Sequence, residues 1–170
     1  MQGSALYKLA LLALVASLMA IGCGSNDGGK SEGTEKTASE SPRYPPGAYV
    51  ATGNPGKFYQ VLVNSEALAL YIFEKDKNGS GKSTCYGVCE RTWPPLLSTT
   101  PRRPLATGPG THNTMIGTIR RDNGTTQVTY AGWPLYQFAG DELGDAKGAG
   151  VKAFGGYWHP LFPNGKVAVH

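Results

Sequence analysis

The chain has 170 residues, 40% of them hydrophobic and 16% charged, with Gly at 24 positions, Pro at 12 and a formal net charge of +4. That length suits one ordinary domain, and the turn-rich, aromatic-bearing composition excludes a wholly disordered chain, a long coiled coil and collagen. A charge this mild, with no Lys/Arg stripe, excludes nucleic acid as a partner.

Residues 1–22 contain a single charge, Lys8, followed by an apolar run from Leu9 to Gly22. Fourteen residues are too few to span a bilayer comfortably and match the core of a signal peptide. The run ends in Ala20-Ile21-Gly22-Cys23, which resembles the bacterial lipobox, where small residues precede a Cys that is acylated and becomes the mature N-terminus. Two or more acyl chains hold a protein stably on a membrane. Residues 23–46 supply this Cys and a stretch with one aromatic and no aliphatic side chain larger than Ala, which cannot bury surface to offset its ordering entropy. It is expected to be a flexible linker with an end-to-end distance of about 26 Å.

The folded region is expected over 47–170 and contains an internal repeat. At an offset of 65, Leu70-Tyr71 falls on Leu135-Tyr136, Phe73 on Phe138, Asp76 on Asp141, Gly79 on Gly144, Trp93 on Trp158 and Leu96 on Leu161, without a gap. Repeats of this length mean one supersecondary unit used twice, each burying a face against the other. The first copy spans about 50–97 and the second about 115–163. In chain order, residues 58–64 and 67–74 read as strands around a short turn at Asn64, and 115–120, 126–130, 134–139 and 166–169 read as further strands. Tyr71 and Phe73 share one face of their strand, with Leu70 and Ile72 on the other, so the first copy's strand is expected to be covered on both sides. Residues 97–113 connect the copies. No segment has a long helical apolar period. The fold class is therefore mainly β: two tandem pseudo-symmetric repeats forming one domain behind a signal peptide and a disordered linker.

The pattern Tyr71-x4-Asp76 and Tyr136-x4-Asp141, with Trp93-Pro94-Pro95-Leu96 and Trp158 in matching places, resembles the bacterial secreted-repeat lipoprotein family and its Y-x4-D motif. The resemblance covers roughly residues 50–163. It implies an exported, lipid-anchored, mostly β protein and no particular activity. His159 stands where the family pattern leads one to expect an aromatic residue.

Several constellations carry potential chemistry. With Cys23 acylated, Cys85 and Cys89 remain; in an oxidising compartment the pair is expected to form a disulfide, a local staple of about 2 kcal/mol. A redox dithiol or half of a metal site is the alternative, although the spacing is not C-x-x-C. Gly79–Thr84 superficially resembles a phosphate-binding loop, but Asp76 stands where that loop needs Gly and no helical pattern follows. Asp76, Asn78 and Ser80 match the first half of a calcium loop, but Gly87 occupies the place of its bidentate Glu, so a turn after the strand is preferred over a metal site. Trp93 and Trp158 are either core plugs or exposed platforms for glycans or peptides, the core being the commoner use.

The expected protein is extracytoplasmic, anchored through its lipid to the outer face of the plasma membrane or to an outer membrane. It acts as a non-enzymatic binding module for an envelope ligand or protein, without a cofactor. A redox or metal-handling accessory role is the alternative.

Overall fold

In the computed structural model, residues 48–98, 106–107 and 110–169 are described. The expected signal peptide, Cys23, the linker and most of the connection between the copies lie outside them. Among the described residues, nine strands, one short α-helix and one 3-10 turn follow the chain: β1 (Ala48–Gly53), β2 (Val61–Val63), β3 (Tyr71–Phe73), α1 (Val88–Thr92), β4 (Ala106–Thr107), the 3-10 turn (Asn113–Met115), β5 (Ile116–Arg120), β6 (Thr126–Tyr130), β7 (Trp133–Pro134), β8 (Lys152–Ala153) and β9 (Gly156–Pro160). They form three three-stranded sheets in the orders β2-β1-β4, β3-β9-β8 and β5-β6-β7. All pairings are antiparallel except β1 with β4.

The repeat is visible strand by strand. β1 pairs with β2 through Thr52 opposite Leu62, and β5 pairs with β6 through Thr118 opposite Val128. Each second strand then turns back: the Leu70 N–H donates to the Leu62 carbonyl and the Leu135 N–H to the Val128 carbonyl. Leu70 and Leu135 stand 65 apart, whereas Leu62 and Val128 stand 66 apart. The first copy therefore holds one extra residue in its turn. There Asn64 Oδ1 accepts from the backbone N–H groups of Glu66 and Leu68, a side-chain-closed turn, while the second copy turns on Ala131-Gly132 with both φ angles positive.

Beyond the turn the copies exchange strands. β3 of the first copy pairs with β9 of the second, Tyr71 opposite Pro160 and Phe73 opposite Trp158. In return, Gln137 and Ala139 of the second copy donate to the carbonyls of Pro94 and Thr92 of the first. The two exchanges meet where Tyr71 and Tyr136 trade both backbone hydrogen bonds, at 2.8 and 2.9 Å. The pseudo-twofold axis passes through this bridge.

Both hydrophobic clusters draw on both copies. One contains Val50 with Ile116, Leu62 with Val128, Leu70 with Leu135 and Leu96 with Leu161, each pair being one repeat position used twice. The other holds Tyr71, Tyr136, Trp93, Trp158 and Phe73 around the Cys85–Cys89 disulfide. Leu70 and Ile72 are as fully buried as Tyr71 and Phe73, so the strand of the first copy is covered on both sides, as the sequence implied.

Strand boundaries differ from the sequence reading in several places: the strand expected over 67–74 is only β3, because Ala67 takes a left-handed φ of 62° in the turn closed by Asn64, and the strand expected over 134–139 is Trp133–Pro134 followed by a bridge at Tyr136. Residues 58–60 are loop, because Gln60 takes a left-handed φ of 53° and donates its N–H to Asn54 Oδ1. Residues 166–169 form only a bridge from Val167 to Leu161, closed by the turn at Asn164-Gly165. β1 lies outside the strands read from the sequence: it ends at Gly53-Asn54-Pro55, which reads as turn, and matches β5 at an offset of 66 instead of 65.

Gly148 lies in the crowded centre. A Cβ there would stand 2.8 Å from Trp93 Cη2 and 2.9 Å from Tyr71 Cζ, both fixed core rings. Gly148→Ala is expected to lower stability by about 1–3 kcal/mol through overpacking. A shifted urea midpoint checks this; an unchanged midpoint contradicts it.

Candidate functional site

The side chains singled out by the repeat converge on the axis. Each Y-x4-D tyrosine bonds the aspartate of the other copy. The Tyr71 hydroxyl donates to Asp141 Oδ2 at 2.5 Å, and the Tyr136 hydroxyl donates to Asp76 Oδ2 at 2.6 Å. Within one copy the two residues lie five positions apart, on opposite faces of an extended chain and roughly 16 Å distant if the strand continued. Only the strand exchange brings a tyrosine to an aspartate. Each aspartate then finishes its turn with its other oxygen. Asp76 Oδ1 accepts from Thr84 N and Oγ1, both at 2.7 Å, and Asp141 Oδ1 accepts from Lys147 N at 2.8 Å. Gly79 and Gly144 close these turns with φ of 72° and 86°.

Between the crossed pairs the indoles of Trp93 and Trp158 stack at 3.9 Å, 3° from parallel. Each takes the edge of its own copy's tyrosine, Tyr71 on Trp93 and Tyr136 on Trp158. Each is also faced by the other copy's phenylalanine, Phe73 on Trp158 and Phe138 on Trp93. Both indoles are fully buried and both Nε1 groups lack an acceptor, so the pair is held by packing alone. Of the two uses the sequence left open, the tryptophans are core plugs and not exposed platforms.

The groups that touch the two tyrosine hydroxyls differ between the copies. Ser83 Oγ lies 2.7 Å from the Tyr136 hydroxyl; the position equivalent to Ser83 is Gly148, whose backbone reaches the Tyr71 hydroxyl instead. Ser83 in turn accepts from Arg121, a buried guanidinium that also donates to Gln127 Oε1, the Cys85 carbonyl and Glu90 Oε2 and lies 4.4 Å from the Tyr86 ring centre. One arginine of the second copy thereby fixes the disulfide loop of the first. Its sequence context, Arg-Arg-Asp-Asn-Gly, reads as an exposed turn and carries no signal of this role.

Burial, and then the adjacent carboxylates, push the Tyr71 and Tyr136 hydroxyls far above the ordinary tyrosine range. Burial also raises the Asp141 carboxyl, against the hydrogen bonds it receives. The site's chemistry is therefore neutral phenols donating to carboxylates, a charge-assisted lock.

The remaining sequence candidates fall elsewhere. Cys85 and Cys89 form a buried disulfide. Asn78 donates to the Ala131 carbonyl, and Ser80 Oγ accepts from Lys82 N, so neither joins Asp76 in a common oxygen cage. No cluster of three or more metal-ligating side chains occurs among the described residues. His159, unexpected in the family pattern, has its Nε2 3.7 Å from Glu74 Oε1. Among the described residues, two of the open depressions on the surface lie near these side chains or the first copy's loop. One is lined by Glu74, Gly150, Tyr157, His159 and Val169, the other by Tyr59, Gln60, His112, Phe162 and Asn164.

A family model described as a secreted repeat of unknown function, Lipoprotein_15, matches residues 60–97 and 117–161. These segments are the two structural copies without their first strand or its beginning. No curated protein and no solved structure matches the chain.

The lock makes two expectations. Tyr136→Phe leaves a fully buried carboxylate oxygen without its donor and should cost about 1–3 kcal/mol, with Tyr71→Phe costing less because Asp141 is half-exposed. Because the folded state holds both phenols protonated above their unfolded pKa, their contribution is complete below about pH 10 and lost as pH rises beyond it. Urea unfolding across alkaline pH should show this fall, shallower in either Phe variant; equal pH slopes in wild type and variants would contradict it.

Proposed function

We propose that this chain, which belongs to the secreted-repeat family of unknown function and is extracytoplasmic, acts as a lipid-anchored, non-enzymatic binding module of the cell envelope. The observation that carries the reading is the inward commitment of the repeat motif. Tyr71, Asp76, Tyr136 and Asp141 bond one another across the axis and close their own turns, so the residues most suited to acid–base work are consumed in holding the copies together. Ligand contact is then left to the surface, where the two depressions and the exposed rings of Tyr59, Phe154 and Tyr157 lie. The anchor rests on Ala20-Ile21-Gly22-Cys23 and the apolar run before it.

A redox role has the setting of the disulfide against it. Thiol exchange needs access, and Cys85 is fully buried while Cys89 is 7% exposed.

Cys23→Ala is expected to abolish incorporation of a palmitate analogue and to move the protein from the detergent phase to the aqueous phase. Retained labelling would contradict the anchor. After the native protein is incubated with reduced glutathione and desalted, titration should detect no protein thiol; two thiols titrating without loss of structure would favour the redox reading.

A further inference from the structure

The copies differ most between their turn and their tryptophan. The first copy closes Cys85 to Cys89 around α1, and the second raises the β8–β9 hairpin in the same place. The hairpin turns on Phe154-Gly155, with φ of 55° and 89°. Two-residue turns with both angles positive favour Asn-Gly or Asp-Gly, and a bulky aromatic in that region is strained. Phe154 is 39% exposed, so the tip presents part of a large apolar side chain to solvent. Tyr157, opposite Lys152 across the hairpin, is 40% exposed.

Two exposed ammonium groups flank these rings. Lys152 Nζ lies 5.2 Å from the Tyr157 ring centre, and Lys75 Nζ donates to the Phe154 carbonyl at 3.4 Å. The Glu74 carboxylate on this face accepts from Tyr157 N at 3.1 Å and faces His159. Among these side chains the face therefore presents the cations of Lys75 and Lys152 against the carboxylate of Glu74, with exposed aromatics at its tip.

We propose that the β8–β9 hairpin docks on an anionic phospholipid surface, with Lys75 and Lys152 at the headgroup phosphates and Phe154 and Tyr157 in the interfacial layer. Amphipathic rings favour that layer, and juxtaposed lysines are drawn to anionic headgroups. The strained Phe154 then has a physical reason: the tip carries an apolar wedge where the turn alone would favour Asn. This deepens the envelope reading and rests on it for proximity, since acylation at Cys23 would tether the chain to the bilayer.

The test uses the chain from residue 23 onward carrying Cys23→Ser, so that acylation plays no part and failure of the anchor is scored separately. It is floated with vesicles of phosphatidylglycerol and phosphatidylcholine, or of phosphatidylcholine alone. The chain should float with the anionic vesicles, and about tenfold less in high salt or as the Lys75→Glu/Lys152→Glu variant. Phe154→Asn suits the turn, so it should keep or raise the melting temperature while weakening flotation several-fold. A chain that stays in the buffer, that binds both vesicle types equally, or whose variants float like the parent overturns the proposal.

Discussion

The structure depends on one exchanged contact: a tyrosine hydroxyl from each copy on the aspartate of the other, closed around a stacked tryptophan pair. Separately, each copy is a three-stranded meander whose last strand has no partner and whose tryptophan has both faces open, since the other copy supplies the indole on one face and the phenylalanine on the other. An unpaired edge and an exposed indole cost free energy that a unit of this size cannot offset alone. Exchange removes both at once. β3 gains β9, the strand around Tyr136 gains the segment before Leu96, and each indole is covered by the other. The hydroxyl–carboxylate pairs then fix the register, because a slip by one residue turns Tyr71 away from Asp141.

The duplication was legible because the segment from Leu70 to Leu96 recurs without a gap, and the burial of Tyr71, Phe73 and their alternating neighbours followed from strand periodicity. The crossing was not. A motif written as Tyr and Asp five apart suggests a contact within the copy, and nothing local in the sequence says which strand lies beside β3. The first strand of the first copy was lost for a different reason: the extra residue in the turn closed by Asn64 shifts the offset by one, so the likeness of Val50 to Ile116 and Thr52 to Thr118 falls out of register. Arg121 was invisible because a basic residue in a polar turn is ordinarily solvated, and only the three-dimensional closure places four acceptors around it.

The copies have kept the lock and changed its surroundings. Ser83 and Arg121 tie the first copy's disulfide loop into a buried polar chain, whereas Gly148 makes the corresponding place a bare backbone contact packed against Trp93. The second copy spends the same stretch of chain on a hairpin that stands in solvent. Invariance at the axis with divergence at the rim is the arrangement expected when a fold is fixed by internal symmetry and its contacts with other molecules are carried by the asymmetric parts.

The central claim is that neither copy is a folded unit without the other. Expression of residues 24–104 and 105–170 as separate chains tests it most directly. Amide dispersion and near-ultraviolet dichroism should report two unfolded fragments that recover the native signals when mixed in equal amounts. A fragment that folds by itself, with its tryptophan buried and its tyrosine unable to ionise, would contradict the account.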